Sequence, residues 1–205
     1  LKMCLKAEGV DRTQKRFPSP AVIQSLISYA RNAQMSLENL IGLKHQKWSA
    51  VSDTIVRVAT EYSKRKKAAN AMDFDDLLVN LAQLLQANEN LRLRLAKQFE
   101  YVLVDEYQDT NKIQASIIRA MASVHNNVLV VGDDAQSIYS FRAADIANIL
   151  DFEKHYPNPR IFKLETNYRS TPDILDVANE LIANNRKQFK KNLKSVREKF
   201  TKPEV

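Results

Sequence analysis

Apolar residues recur at helical spacing through the first third of the chain. Val22, Ile23, Leu26, Ile27 and Ala30 share one helical face. They follow the breaker cluster Phe17-Pro18-Ser19-Pro20, in which Ser19 is the expected N-cap and Pro20 the first helical residue. Residues 1–17 read as a short amphipathic helix and a turn. Leu37, Leu40 and Ile41 form an apolar patch before Gly42, and Val51, Ile55, Val58, Ala59 and Tyr62 mark a longer helix. That helix ends in Lys64-Arg65-Lys66-Lys67, where cations complement the negative end of the helix dipole and could also meet a polyanion.

Near residue 70 the pattern changes. Met72-Asp73-Phe74-Asp75-Asp76-Leu77-Leu78 opens a helix with acids in its first turn, and a second helix is expected over 88–98. Tyr101-Val102-Leu103-Val104 is a short apolar run ended by acids, the pattern of a buried strand. A helical period returns over 111–123. Asn127–Val131 reads as a second strand stopped by Gly132-Asp133-Asp134, 143–155 as a helix, and Arg160–Leu164 as a third strand. A last helix runs from Pro172 to about Asn184 with Thr171 as N-cap, before a lysine-rich, weakly patterned tail. Strands alternating with helices predict an α/β fold with a parallel sheet and crossover helices, joined to an all-helical segment over 1–70.

Only three glycines in 205 residues argue against a glycine-rich β architecture, and no apolar run is long enough to cross a membrane. No secretory leader pattern is visible, and the lone Cys4 fits a reducing, cytoplasmic setting. The first residue, Leu1, suggests an internal piece of a longer protein. The net charge of +7 is uneven: +8 over residues 1–72, −4 over 73–164 and +3 over 165–205. The basic first part suggests a polyanionic partner such as nucleic acid, against the plainer reading of a solvated helical surface.

Asp105 and Glu106 follow the first strand, at the carboxyl end where parallel sheets bind ligands. In a nucleotide hydrolase the first acid holds magnesium and the second takes a proton from the attacking water. The plainer alternative is a pair of solvated loop acids. The surrounding run, Tyr101-Val-Leu-Val-Asp-Glu-Tyr-Gln-Asp-Thr-Asn111, resembles motif II of UvrD/Rep-type superfamily 1 DNA helicases. Val130-Val-Gly-Asp-Asp-Ala-Gln-Ser-Ile-Tyr-Ser-Phe-Arg-Ala-Ala144 resembles motif III, and Leu164-Glu-Thr-Asn-Tyr-Arg-Ser-Thr171 resembles motif IV. Residues 72–78 resemble a further family segment, and the helical first 70 residues are loosely similar to the 1B subdomain.

The resemblance implies a partial RecA-like P-loop NTPase sheet with an inserted all-helical subdomain. Residues 1–70 would be 1B-like, 71–160 the later part of the first motor domain, and 161–205 the start of the second. It implies ATP and Mg2+ as cofactors, with Asp105 on magnesium and Glu106 as base. Gln136 would sense the γ-phosphate, Tyr168 would stack on adenine, and Arg169 would act as an arginine finger. Phe74, Tyr139, Phe141 and Arg142 would contact single-stranded DNA, with Phe141 standing where Trp is more usual. Tyr139 and Phe141 alternate with Ser140, so an extended segment would turn both rings to one side. For Phe74, Tyr139, Phe141 and Tyr168 the alternative is a core aromatic. For Arg169 it is an ion pair with Glu165 or Asp173.

No Gly-x-x-x-x-Gly-Lys-Ser/Thr occurs in these residues, so the phosphate-cradling loop is missing from them and the 205 residues alone are expected to be inactive. The implied activity is ATP-driven translocation on single-stranded DNA and unwinding at single-/double-strand junctions, with 3′–5′ movement on the resemblance alone. Repair or replication proteins would be its partners. Two alternatives stay open: a non-catalytic nucleic-acid- or protein-binding module, and a helicase–nuclease subunit using the same motor.

Overall fold

The computed structural model describes residues 1–10, 17–201 and 203. Four helices make up the first part: α1 (Lys2–Ala7), α2 (Pro20–Asn32), α3 (Leu37–Lys44) and α4 (Ser52–Ala68), with a 3-10 segment Gln46–Val51 before α4. Ser19 caps α2 by accepting the Val22 N–H, with Pro20 leading the helix as expected. The apolar face of α2 then closes a core in which Cys4, Leu5, Ile23, Ile27, Ile41, Ile55 and Val58 are buried. Part of the anticipated 1–17 segment, residues 11–16, lies outside the described residues.

The next layer is helical too. Asp73 caps α5 (Phe74–Ala87) in a reciprocal box with Asp76, each accepting the other's backbone N–H at 2.9 Å. Two further helices, α6 (Glu89–Gln98) and α7 (Lys112–Met121), pack with α5 around Leu85, Ile113 and Ile117. Strand β1 (Val102–Val104) precedes α7 and β2 (Val128–Val130) follows it. The two pair in parallel, Leu103 opposite Leu129, so α7 is the crossover that parallel pairing requires. This is a partial RecA-like P-loop fold: small parallel sheets with helical insertions.

The strands are not buried on both faces, as the apolar run had suggested. Val102, Val104, Val128 and Val130 pack on Tyr107, Ile118 and Ile149, while Leu103 on the opposite face is 71% exposed and Leu129 is also open. Among the described residues nothing covers that second face.

Beyond β2 the structure departs further from the pattern. The expected helix over 143–155 is two short helices, α8 (Ala147–Leu150) and α9 (Phe152–His155), parted at Asp151, whose backbone leaves the helical region (φ −102°, ψ 20°). The expected strand Arg160–Leu164 does not form. No strand among the described residues pairs with it, and its Ile161, Phe162 and Leu164 are exposed. Pairing begins two residues later, between β3 (Thr166–Asn167) and β4 (Lys194–Ser195), in a second parallel sheet separate from the first. Helix α10 (Pro172–Ala183) connects them. Thr171 precedes it in an extended conformation but makes no side-chain capping bond.

Candidate functional site

Glu106 leaves β1 in the left-handed region (φ 50°, ψ 43°), a conformation that costs a residue with a Cβ roughly 1 kcal/mol. Three hydrogen bonds hold it there. Its N–H donates to Asp105 Oδ1 (2.9 Å), its carbonyl accepts the Asp109 N–H (2.9 Å), and its Oε2 accepts from Gln108 Nε2 (2.8 Å). The following residue, Tyr107, donates its N–H to Val131 O (2.9 Å), extending the parallel ladder past the strand. Both carboxylates, Asp105 and Glu106, are therefore exposed and fixed at the carboxyl edge of the sheet.

Gln108 joins this segment to the end of β2. It is 1% exposed, and its Oε1 accepts the Asp133 N–H at 3.0 Å while its amide serves Glu106. The join is tight: a Cβ on Gly132 would stand 2.6 Å from Gln108 Oε1 and 3.2 Å from the Tyr107 nitrogen, so only glycine fits. Asp133 Oδ2 then accepts from Gln136 Nε2 at 2.9 Å, which aims Gln136 along the same edge. A cleft of about 530 Å³ lies there, lined by Glu106, Gln108, Asp109, Gln136, Ile138 and Tyr139. Asp109 Oδ1 is buried and has no hydrogen-bond partner among the described residues.

Tyr139 and Phe141 do sit side by side, but by a different route from the one anticipated. The segment is a 3-10 turn, Ser140–Arg142, rather than extended chain, and it ends at Ala143 in the left-handed region (φ 63°). The two ring centroids are 5.8 Å apart, and the Arg142 guanidinium lies 5.4 Å and 5.5 Å from them. Neither ring is core: Phe141 is 67% exposed and Tyr139 borders the cleft. The turn is pinned to the first strand's loop by an Asn111–Ala144 bridge and by the Asp145 N–H donating to Thr110 O at 3.0 Å.

Phe74, 88% exposed, is the first residue of α5 and stands outside the cleft. Its helix end is held by α2 and α4. Arg31 reaches Asp76 at 2.8 Å and Asp73 at 3.9 Å, Lys66 bridges both acids, and Asn32 donates to Asp75 Oδ1 at 2.8 Å. Burial raises the Asp73 pKa, but hydrogen bonds from Lys66 and the Asp76 backbone outweigh it and bring the carboxyl down to about 2. Asn32 also accepts from Asn111 (2.9 Å), linking this helix end to the residue that closes the first strand's loop. The basic run therefore spends Lys66 on α5 and Arg65 on Glu61 (2.6 Å).

Tyr168 (73% exposed) and Arg169 do not line the cleft. Asn167 Oδ1 accepts the Arg169 and Ser170 N–H groups (2.9 and 2.8 Å), and the side chains of Tyr168 and Arg169 are exposed. Arg169 makes no ion pair with Glu165 or Asp173 among the described residues. Glu165 instead accepts the Asn192 N–H at 2.7 Å.

Two residues that the sequence pattern did not single out complete the edge. Gln108 sits inside the 101–111 run but carries no charge to mark it. Lys191 lies in the unpatterned tail, 58 residues from Asp133, yet it ion-pairs with Asp133 and reaches Asp134 Oδ1 at 3.3 Å. Burial raises the Asp133 pKa, but the hydrogen bonds from Lys191 and Gln136 and the Lys191 charge hold it lowered. Burial likewise lowers the Lys191 pKa, and its bond to Asp133 with the charges of both acids raises it overall.

The residues present would fit a magnesium ion. Asp105 is one exposed carboxylate at the strand end, and no cluster of three or more ligating side chains occurs among the described residues. Magnesium takes one or two carboxylates with several waters.

The parallel sheet presents two acids, a glutamine and a cleft at its carboxyl edge, where sheets of a partial RecA-like fold bind ligands. The sequence model of the UvrD/REP helicase N-terminal domain matches residues 1–157, and the chain belongs to that family. It is 41% identical to the ATP-dependent DNA helicase PcrA of Leuconostoc citreum over 174 residues, 85% of this chain and 23% of that protein. PcrA of Staphylococcus aureus is 38% identical over 193 residues (94% and 26%), and the ATP-dependent DNA helicase UvrD1 of Mycobacterium bovis 39% over 186 (87% and 24%). The chain spans about a quarter of the length of the curated relatives it matches.

Proposed function

We propose that the chain is part of an ATP-driven DNA helicase motor that couples hydrolysis to 3′–5′ movement on single-stranded DNA and to unwinding at duplex junctions. The observation that carries this reading is the shared cleft: Glu106, Gln136 and Tyr139 line one wall, and Gln108 ties the first to the strand that positions the second. Glu106 takes the proton of the attacking water, and Asp105 holds magnesium. Magnesium, when bound, offsets the charge of the phosphates. Gln136, parked on Asp133, turns its amide to the γ-phosphate and so reports nucleotide state to the Tyr139–Phe141 turn next to it. Phe74, Tyr139, Phe141 and Arg142 grip bases by stacking, which tolerates any sequence. Tyr168 stacks on adenine and Arg169 reaches the γ-phosphate as the two motor halves close.

On this reading residues 1–70 are a 1B-like insertion, 71–160 belong to the first motor domain and 161–205 begin the second. The protein works in the cytoplasm, with repair or replication proteins as partners. No helix among the described residues is long and apolar enough to cross a membrane. A binding module without turnover is the second reading, favoured by the exposed Phe74 and Phe141 rings, which offer a binding surface that needs no hydrolysis. The test is steady-state ATP hydrolysis by the longest natural chain containing them, with and without single-stranded DNA. Stimulation supports the motor; DNA binding with no turnover supports the binding module.

A further inference from the structure

Asp133 is shared by donors from two distant parts of the chain. Its Oδ2 accepts the Gln136 amide (2.9 Å), while its Oδ1 accepts the Ala135 N–H (3.0 Å) and the Lys191 ammonium. Lys191 is only 17% exposed, and it also reaches Asp134, whose side chain is 4% exposed. Asp134 Oδ2 in turn accepts the Phe189 N–H at 3.3 Å, so both the backbone and the side chain of the tail seat on this acid pair. Asp105, Glu106 and Asp109 stand along the same edge. The edge thus gathers five carboxylates where the function proposed above requires a polyanion to sit. Among the described residues, Lys191 is the only Lys or Arg that ion-pairs with any of them.

We propose that Lys191 is a positioning residue for nucleotide: it neutralises Asp133 and Asp134 and locks the Asp133 carboxylate that aims Gln136 into the cleft. This rests on the reading of the cleft as a nucleotide site. An unpaired carboxylate pair at that position repels the phosphates, and a free Asp133 no longer fixes the direction of Gln136. The tail connects onward through Asn192 to Glu165, just before the β3 strand that carries Tyr168 and Arg169. Lys191 therefore joins the two portions of the chain whose residues must converge on one nucleotide.

The test is equilibrium binding of magnesium–AMP-PNP, a non-hydrolysable ATP analogue, to the longest natural chain containing these residues. Lys191→Met is expected to raise Kd about tenfold, the order expected when one unit charge is lost at the edge of a partly wet site. Lys191→Arg keeps the charge and stays within about twofold of wild type. The decisive variant is Lys191→Met with Asp134→Asn, which restores charge balance without touching the Asp133–Gln136 bond and brings Kd back to within about threefold of wild type; a merely structural clasp would not be rescued by removing a second of its members. If Lys191→Met does not fold, Asp134→Asn alone decides, because it leaves the cation and the Asp133–Gln136 bond in place and is expected to bind at least as tightly as wild type. A Lys191→Met Kd equal to wild type, a double variant no better than the single, or weakened binding in Asp134→Asn overturns the proposal. Wild type that binds the analogue but hydrolyses no ATP removes the motor reading and leaves the Kd comparison to judge Lys191. Wild type that binds no analogue overturns both.

Discussion

Gln108 donates a 2.8 Å hydrogen bond to the carboxylate of Glu106 from a position in which it is almost wholly buried. The other end of the same carboxamide accepts the Asp133 N–H, so one uncharged side chain spans the two strand ends that build the cleft. It also steadies Glu106 in a backbone conformation that the residue would not choose unaided. Gln108→Leu keeps the bulk and removes both bonds. It should destabilise the fold by about 1–3 kcal/mol, because the partly buried Asp133 N–H loses its acceptor. The ATP turnover of the folded variant should fall at least about tenfold, through loss of the geometry of the base. Chemical denaturation and single-turnover hydrolysis measure the two effects separately.

Gly132→Ala attacks the same join from the other side. The new Cβ would meet Gln108 Oε1 at 2.6 Å and Ile149 Cδ1 at 2.9 Å, with backbone at 3.2 Å behind them. The expected cost is roughly 1–3 kcal/mol of stability. A urea unfolding midpoint equal to that of wild type would show that the two strand ends lie further apart than described.

The sequence showed the first helices clearly because a helix buries one face and its apolar residues repeat accordingly: Ile23, Ile27, Ile55 and Val58 are all fully buried. It marked Asp105 and Glu106 because acids that end an apolar run stand out, whereas Gln136 entered only through the resemblance of residues 130–144 to motif III. It misjudged Arg160–Leu164, since an apolar run becomes a strand only where a neighbouring strand pairs with it, and none among the described residues does. Tyr139 and Phe141 alternate as in extended chain, yet a 3-10 turn also brings such residues together. Gln108 and Lys191 were illegible because their roles depend on partners 25 and 58 residues away, and no local pattern encodes them.

The acid end of the stability profile should carry the signature of Asp73. Its carboxyl is lowered from 3.8 to about 2 by Lys66 and the capping box, so its contribution is complete above the unfolded pKa of 3.8. It is lost as pH falls from there through about 2. Asp73→Asn should flatten that part of the profile, by on the order of 1–2 kcal/mol after solvent screening. Urea denaturation of both proteins between these pH values checks it; parallel profiles would contradict the assignment.

Phe74→Ala and Phe141→Ala remove exposed rings, so the fold should tolerate both. Each should weaken single-stranded DNA binding by roughly 1–3 kcal/mol whatever the base sequence. Fluorescence anisotropy with labelled homopolymeric and mixed strands measures this. Unchanged affinity would assign these rings to something other than base stacking.

The central claim is that Glu106 acts as the base of a DNA-stimulated ATP hydrolase. Glu106→Gln keeps the shape and the contact with Gln108 but cannot take a proton. The most direct measurement is DNA-stimulated ATP turnover by wild type and Glu106→Gln in the longest natural chain containing these residues, with DNA binding measured in parallel. The account predicts stimulated turnover in wild type that falls at least about a hundredfold in the variant, with DNA affinity retained. Turnover by Glu106→Gln at the wild-type rate would contradict it.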